Sequence, residues 1–260
     1  MIHKTSLIDP KANISSTASI GAYCVIGPNV TIEEDVKIHA QVNISGNTII
    51  GRGSVIYPFA SIGNDPQDLK YKGEETSLVI GKNNKIRENV TINPGTEGGG
   101  RQTIIGDNCL FMVSSHIAHD CIIGNNIVFA NNVQVGGHVH IEDNVVIGGN
   151  SAIQQFTRIG KLSMIGGMCG VVNDIIPYGI AYGNRCSLQG VNLIGLRRKN
   201  IPNKEIISLS QAYKEIFKTK NLSNNLNNLD NKFKNNTFVK DIINFINKDK
   251  KRAICTPHSN

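Results

Sequence analysis

An isoleucine recurs at every sixth residue, from Ile8 through Ile14, Ile20, Ile26, Ile32, Ile38, Ile44, Ile50 and Ile56 to Ile62, ten in one register. The phase survives a polar stretch to Ile80, Ile86 and Ile92, then shifts by one residue. It resumes at Ile105, Phe111, Ile117, Ile123, Phe129, Val135, Ile141, Ile147, Ile153, Ile159, Ile165 and Val171. A fixed period of this kind marks stacked coils of a β-solenoid. The residue after the anchor is often glycine, as at Gly21, Gly51, Gly81, Gly106 and Gly124, which suits a tight turn. Four residues after the anchor the side chain is small or β-branched, as at Ala18, Cys24, Val30, Val36 and Val42. Each unit of six is therefore a short strand with one large inward side chain, followed by a turn. Aromatic residues are few (5%) and Trp is absent, which fits a narrow core filled by isoleucine and small neighbours.

The same register places Cys24, Cys109, Cys121 and Cys169 at the small inward position, as packing residues and not ligands or nucleophiles. There is no C-x-x-C pair, in keeping with a reducing cytosol. No run of about 18 apolar residues predicts a membrane span, and Met1 to Pro10 lacks the apolar stretch of a signal peptide, so a cytoplasmic protein is expected.

The register ends near residue 186, and two domains are expected, 1–186 and 187–260. In the second, Ile201-Pro202 opens a helical run, Leu222, Leu226, Leu229 and Phe233 keep helical spacing, and an amphipathic helix covers roughly 239–246. The tail beyond Lys248 is expected to be basic and disordered. Residues 1–184 carry 12 Lys and Arg against 15 Asp and Glu, whereas 185–260 carry 15 against 5. A basic segment on a slightly acidic body predicts an acidic partner, or else a solubilising tail.

The repeat resembles the hexapeptide acyltransferase superfamily, an all-β solenoid in which a left-handed parallel β-helix runs with three six-residue faces per coil. The left hand is implied by that resemblance alone, since the general rule for parallel crossovers favours the other. With 18 residues per coil, His119 stacks under Gly137 and Gln155, and Asp120 under His138. His116 and His119 flank the inward Ile117 and are expected to point outward. An imidazole beside a carboxylate, with a glycine backbone one coil on, suits acyl transfer. Asp120 would hold the ring, and the Gly137 N–H would meet a developing oxyanion. Metal binding is the competing reading of the clustered histidines, weakened because HIAHD lacks a matched second pair.

The solenoid is interrupted twice, by NDPQDLKYKGEETS from Asn64 and by PGTEGGGRQ from Pro94. The Gly98–Gly100 run could cradle a phosphate, but no GK[ST] pattern or following helix supports that. The stretches DPQDLKYKGE, IRENVTI, SSHIAHDC, GGHV, the QQF of Gln154 to Phe156 and GVNLIGLRRK closely resemble the UDP-N-acetylglucosamine 3-O-acyltransferase family of the lipid A pathway. The resemblance runs through nearly the whole chain and thins after residue 220. It implies a homotrimer with active sites between subunits. It also implies transfer of an (R)-3-hydroxyacyl group from acyl carrier protein to the sugar 3-hydroxyl, with no cofactor, no metal and no nucleic-acid partner. Carried over, it makes His119 the general base, with Asp120 beside it and Gly137 as oxyanion donor. Asp68, Lys70, His116 and His138 line the acceptor site and Gln155 contacts the donor. Asn192 and Arg198 approach the nucleotide, and Gly167 forms the floor of the acyl groove. Where many members carry His after IRE, this chain has Asn93, which leaves open whether the acceptor group is a hydroxyl or an amine.

Other classes fit less well. An N-acyltransferase of the same pathway carries an N-terminal uridine-binding domain, for which a repeat beginning at Ile8 leaves no room, and a nucleotidyltransferase fusion is disfavoured likewise. A γ-type carbonic anhydrase needs three zinc-binding histidines across a trimer interface. A bare scaffold predicts no ionisable cluster at the breaks in the repeat.

Overall fold

A computed structural model describes residues 1–249 and 252–258. Each six-residue unit forms a strand of mostly two residues, and the strands stack as three parallel sheets. In the first sheet the register runs Ile8 to Ile26, Ile26 to Ile44 and Ile44 to Ile62, each pair 18 residues apart. It continues through Ile92, Ile117, Val135 and Ile153 to Val171. The anchors thus sit on one another up the axis of the coil. Ile44, Ile50, Ile56, Ile62, Ile86, Ile92 and Ile117 are fully buried, and each is worth about 1.5–3 kcal/mol of burial. The small positions close the corners: Cys24, Val36, Thr48, Ser54 and Ala60 are also buried. All six cysteines are free thiols.

The prism has three edges, and both insertions leave by the same one. Residues 63–76 join the first-sheet strand Ser61–Ile62 to the second-sheet strand Ser77–Ile80. Residues 93–101 join Thr91–Ile92 to Gln102–Ile105. In the next coil the turn between those two sheets, His116–Ile117 to Ile122–Ile123, holds His119 and Asp120.

The third sheet continues through Gly179–Tyr182 and an antiparallel strand, Ser187–Val191. The expected boundary at 186/187 therefore falls within a hairpin that closes the stack. Among the described residues five helices follow: α1 (Leu193–Arg198), α2 (Asn203–Ile216), α3 (Leu222–Asn227), α4 (Asn231–Lys234) and α5 (Thr237–Lys248). Their apolar faces, including Leu209, Ala212, Ile216, Val239 and Ile242, join the core of the coil. Arg158 ties the two parts together. Its Nε donates to Asp174 at 2.7 Å, its terminal nitrogens donate to the Phe245 and Asp249 carbonyls, and its guanidinium lies 4.4 Å above the Phe245 ring.

The expectation of a disordered tail needs correction. Residues 250, 251, 259 and 260 lie outside the described residues, but 252–258 are docked. Cys255 N–H donates to the Asp174 carbonyl at 2.8 Å, and Asp174 N–H donates to that of Ala253 at 3.0 Å. Cys255 is buried, and Arg252 donates to the carbonyls of Val172 and Gln155. Backbone pairing with the last coil, together with the apolar seat of Cys255, outweighs the charge of the preceding lysines. Among the described residues no helix is long and apolar enough to cross a membrane.

Candidate active site

His119 begins from a turn whose shape the repeat dictates. The third residue of the turn adopts a left-handed backbone, at φ 59° for Asp120, 60° for His138 and 65° for Phe156, one above the other. That conformation aims successive side chains to the same side of the edge. His119 Nδ1 lies 2.7 Å from Asp120 Oδ2. An ionised carboxylate only accepts, so Nδ1 carries the proton and the Nε2 lone pair is left free. The expectation that His119 points outward holds only in part. Its side chain is 11% exposed and that of Asp120 is 0%, because the ring lies along the edge and not away from it. The ring packs against Gly137, where an added Cβ would sit 2.6 Å from Cε1 and 2.8 Å from Nε2.

Burial alone would raise the Asp120 carboxyl. Hydrogen bonds from His119 and from the Thr96 hydroxyl and backbone nevertheless bring it below the usual carboxylate value. Thr96 N–H donates to Oδ1 at 2.8 Å and its hydroxyl to Oδ2 at 2.6 Å, while Asp120 N–H donates to the Thr103 hydroxyl. His138 completes the cluster. Its ring stacks on Phe156 at 4.3 Å, meets His119 edge-on at 5.0 Å, and holds Nδ1 3.9 Å from Asp120 Oδ2. Burial lowers the His138 pKa against the pull of Asp120. The opposed charges of Asp68 and Lys70 are both felt at this ring, so the first insertion leans over the same edge. His116 pairs with the Thr91 hydroxyl at 2.7 Å, and burial, then His119, lowers its pKa.

The Asn93 amide nitrogen donates to the carbonyls of Asn64 and Asp65, closing the base of the first insertion, while Oδ1 is buried with no hydrogen-bond partner among the described residues. The side chain of Gln155 is exposed on the edge that holds His119. Two residues lie on other edges of the prism. Gly167 stacks over Gly149 between the third and first sheets. Asn192 caps α1 and donates to the Leu162 carbonyl, between the second and third. Arg198 is exposed at the end of α1. One chain alone does not bring these three beside His119. Sequence reasoning missed Thr96, Thr103 and Phe156; the 18-residue spacing of Phe156 from His138 was the available signal. His119, Asp120 and His138 hold ligand atoms within 4.8 Å of one another. A metal ion held by His119 Nδ1 and Asp120 Oδ2 would have to replace the hydrogen bond between them.

A family model for hexapeptide transferases matches residues 29–64 and 102–137. A second, for domain 2 of UDP-N-acetylglucosamine O-acyltransferase, matches 174–255. An acyl-(acyl-carrier-protein)–UDP-N-acetylglucosamine O-acyltransferase of Rickettsia canadensis is 48% identical over 98% of this chain and 97% of its own. One of Bartonella bacilliformis is 45% identical over 98% and 94%. The crystal structure of LpxA from Acinetobacter baumannii superposes with a TM-score of 0.92 at 43% identity, over 97% of this chain and 99% of that one. The fold is accordingly a left-handed parallel β-helix of hexapeptide repeats with a small helical domain. The chain is an acyltransferase, and it belongs to the UDP-N-acetylglucosamine O-acyltransferase family.

Proposed function

We propose that this chain transfers an (R)-3-hydroxyacyl group from acyl carrier protein to the 3-hydroxyl of UDP-N-acetylglucosamine, the first step of lipid A biosynthesis, with His119 as general base. The observation that carries this reading is the dyad itself: an imidazole with Nδ1 bound to a buried carboxylate and Nε2 free. The sugar oxygen attacks the thioester carbonyl as His119 Nε2 takes its proton. The C–S bond then breaks, and the imidazolium returns the proton to the departing thiolate. Asp120 stabilises the imidazolium between these steps. Gly137 N–H makes no hydrogen bond among the described residues, so it is available to the oxyanion.

A homotrimer with sites between subunits fits two features. The candidate site residues are divided among three edges of one prism, so a neighbouring copy is needed to unite them. The outward row Leu110, Val128, Val146, Met164 and Ile180 on the third sheet is a half-buried apolar ladder in the single chain, suited to packing against another subunit. Six free thiols fit a cytoplasmic location.

The test is direct. The purified protein is incubated with UDP-N-acetylglucosamine and 3-hydroxyacyl carrier proteins, in parallel with the 3-amino analogue of the sugar. Product mass and fragmentation identify the acceptor atom. Turnover of the 3-hydroxyl is expected; no acyl transfer to either sugar would overturn the reading. Light scattering reports the trimer.

A further inference from the structure

The glycine-rich insertion finds no role as a phosphate cradle, because it folds back onto the catalytic carboxylate. Thr96 stands at the entrance to the 3-10 turn Glu97–Gly99, a place where a threonine hydroxyl ordinarily caps the turn, yet it makes no such cap. The hydroxyl goes to Asp120 Oδ2, and the backbone N–H goes to Oδ1. The Thr96 carbonyl accepts from Gly99 and Arg101, which folds the insertion around it. Gly99 is then pressed on the carboxylate so closely that a Cβ would lie 2.0 Å from Asp120 Cγ. Thr96 is 4% exposed, so the contact excludes water.

Asp120 needs such a hold because it stands between two imidazoles. Oδ2 is 2.7 Å from His119 Nδ1 and 3.9 Å from His138 Nδ1. A carboxylate free to turn could serve either ring, and only one of them is the base. We infer that Thr96, with Gly99 packed behind it, is a positioning residue that commits the Asp120 carboxylate to His119. Thr96 N–H fills Oδ1, its hydroxyl takes one lone pair of Oδ2, and the remaining pair faces His119. Thr103, which receives the Asp120 backbone N–H, fixes the turn from the other side. The inference rests on the reading of His119 as general base.

Thr96→Val keeps the shape and removes the hydroxyl donor, while the methyl group pushes on Oδ2. Loss of one charge-assisted hydrogen bond in the transition state is expected to lower kcat on the order of ten- to a hundredfold. The KM values should move little, because Thr96 is buried and offers the substrates almost no surface. Thr96→Ser should restore kcat to within a few fold. Gly99→Ala should reproduce the kcat loss by displacing the carboxylate sterically. On an Asp120→Ala background, Thr96→Val should cost nothing further. Retained turnover in His119→Ala would sink the general-base reading and this inference with it. An inactive His119→Ala beside a Thr96→Val enzyme with wild-type kcat would overturn this inference alone. If Thr96→Val does not fold, Thr96→Ser and Gly99→Ala decide: wild-type kcat in Gly99→Ala overturns the inference.

Discussion

The imidazole of His119 rests on the backbone of Gly137, leaving no room for a methyl group between them: a Cβ would meet Cε1 at 2.6 Å. Position 137 must therefore be glycine for the ring as well as for any oxyanion bond. Gly137→Ala keeps the N–H yet displaces the His119 ring, and for a general base a misplacement of this size costs on the order of 10²-fold in turnover. His119→Ala should lower turnover by about 10²–10⁴-fold. Both variants should fold, as the change lies at an edge and not in the isoleucine ladder. Steady-state kinetics beside thermal melts check the pair, and near wild-type turnover in a folded His119→Ala protein would remove it from the mechanism.

Acid should destabilise the fold before it protonates any carboxylate. Burial lowers the pKa of His116, His138 and His140 from their ordinary value of about 6.5. Below that value the unfolded chain binds protons that the folded chain refuses, so stability is lost as pH falls through and below 6.5. The lowered Asp120 acts in the same direction only below its ordinary value, near pH 4. The melting temperature should fall between pH 7 and pH 5, and less steeply in His116→Gln/His140→Gln. Equal slopes for the two proteins would remove these imidazoles as the cause.

Arg197, Arg198 and Lys199 are exposed at the end of α1, and Lys204 at the start of α2. Acyl carrier proteins are acidic, so reversing several of these charges should raise the donor KM on the order of three- to tenfold at low salt. The effect should fade as salt screens the exposed groups. An unchanged KM at low salt would leave the basic segment as a solubilising surface.

Gly167 is exposed, and a Cβ there would meet the Gly149 carbonyl at 3.2 Å, a tight contact that the backbone relieves by giving a few tenths of an ångström. The backbone at Gly167 is not left-handed, so with that small shift the coil takes a side chain here, which would fill space outside it. Gly167→Met should shift preference from long to shorter 3-hydroxyacyl donors. Overfilling a groove costs about 1–3 kcal/mol, or tenfold and more in selectivity. If both proteins rank a donor series identically, the groove floor lies elsewhere, with Arg185 the next residue to test.

The sequence by itself determined the coil. Each six-residue unit repeats its instruction locally, with a large inward residue, a small corner and a turn, so the pairing of Ile44 with Ile62 or His119 with Gly137 follows from counting. What only the tertiary structure decided lies where the period stops. The Thr96 contact with Asp120 spans 24 residues and an irregular loop, and no local propensity encodes it. Asn93 holds the base of the first insertion because that loop's carbonyls come within its reach. The basic tail docks because Asp174 offers unpaired backbone groups and Cys255 finds a dry seat, conditions set by distant segments. Periodic residues see the same neighbours at each turn and so reveal them. Insertions and termini meet their partners once, and only the folded chain shows which.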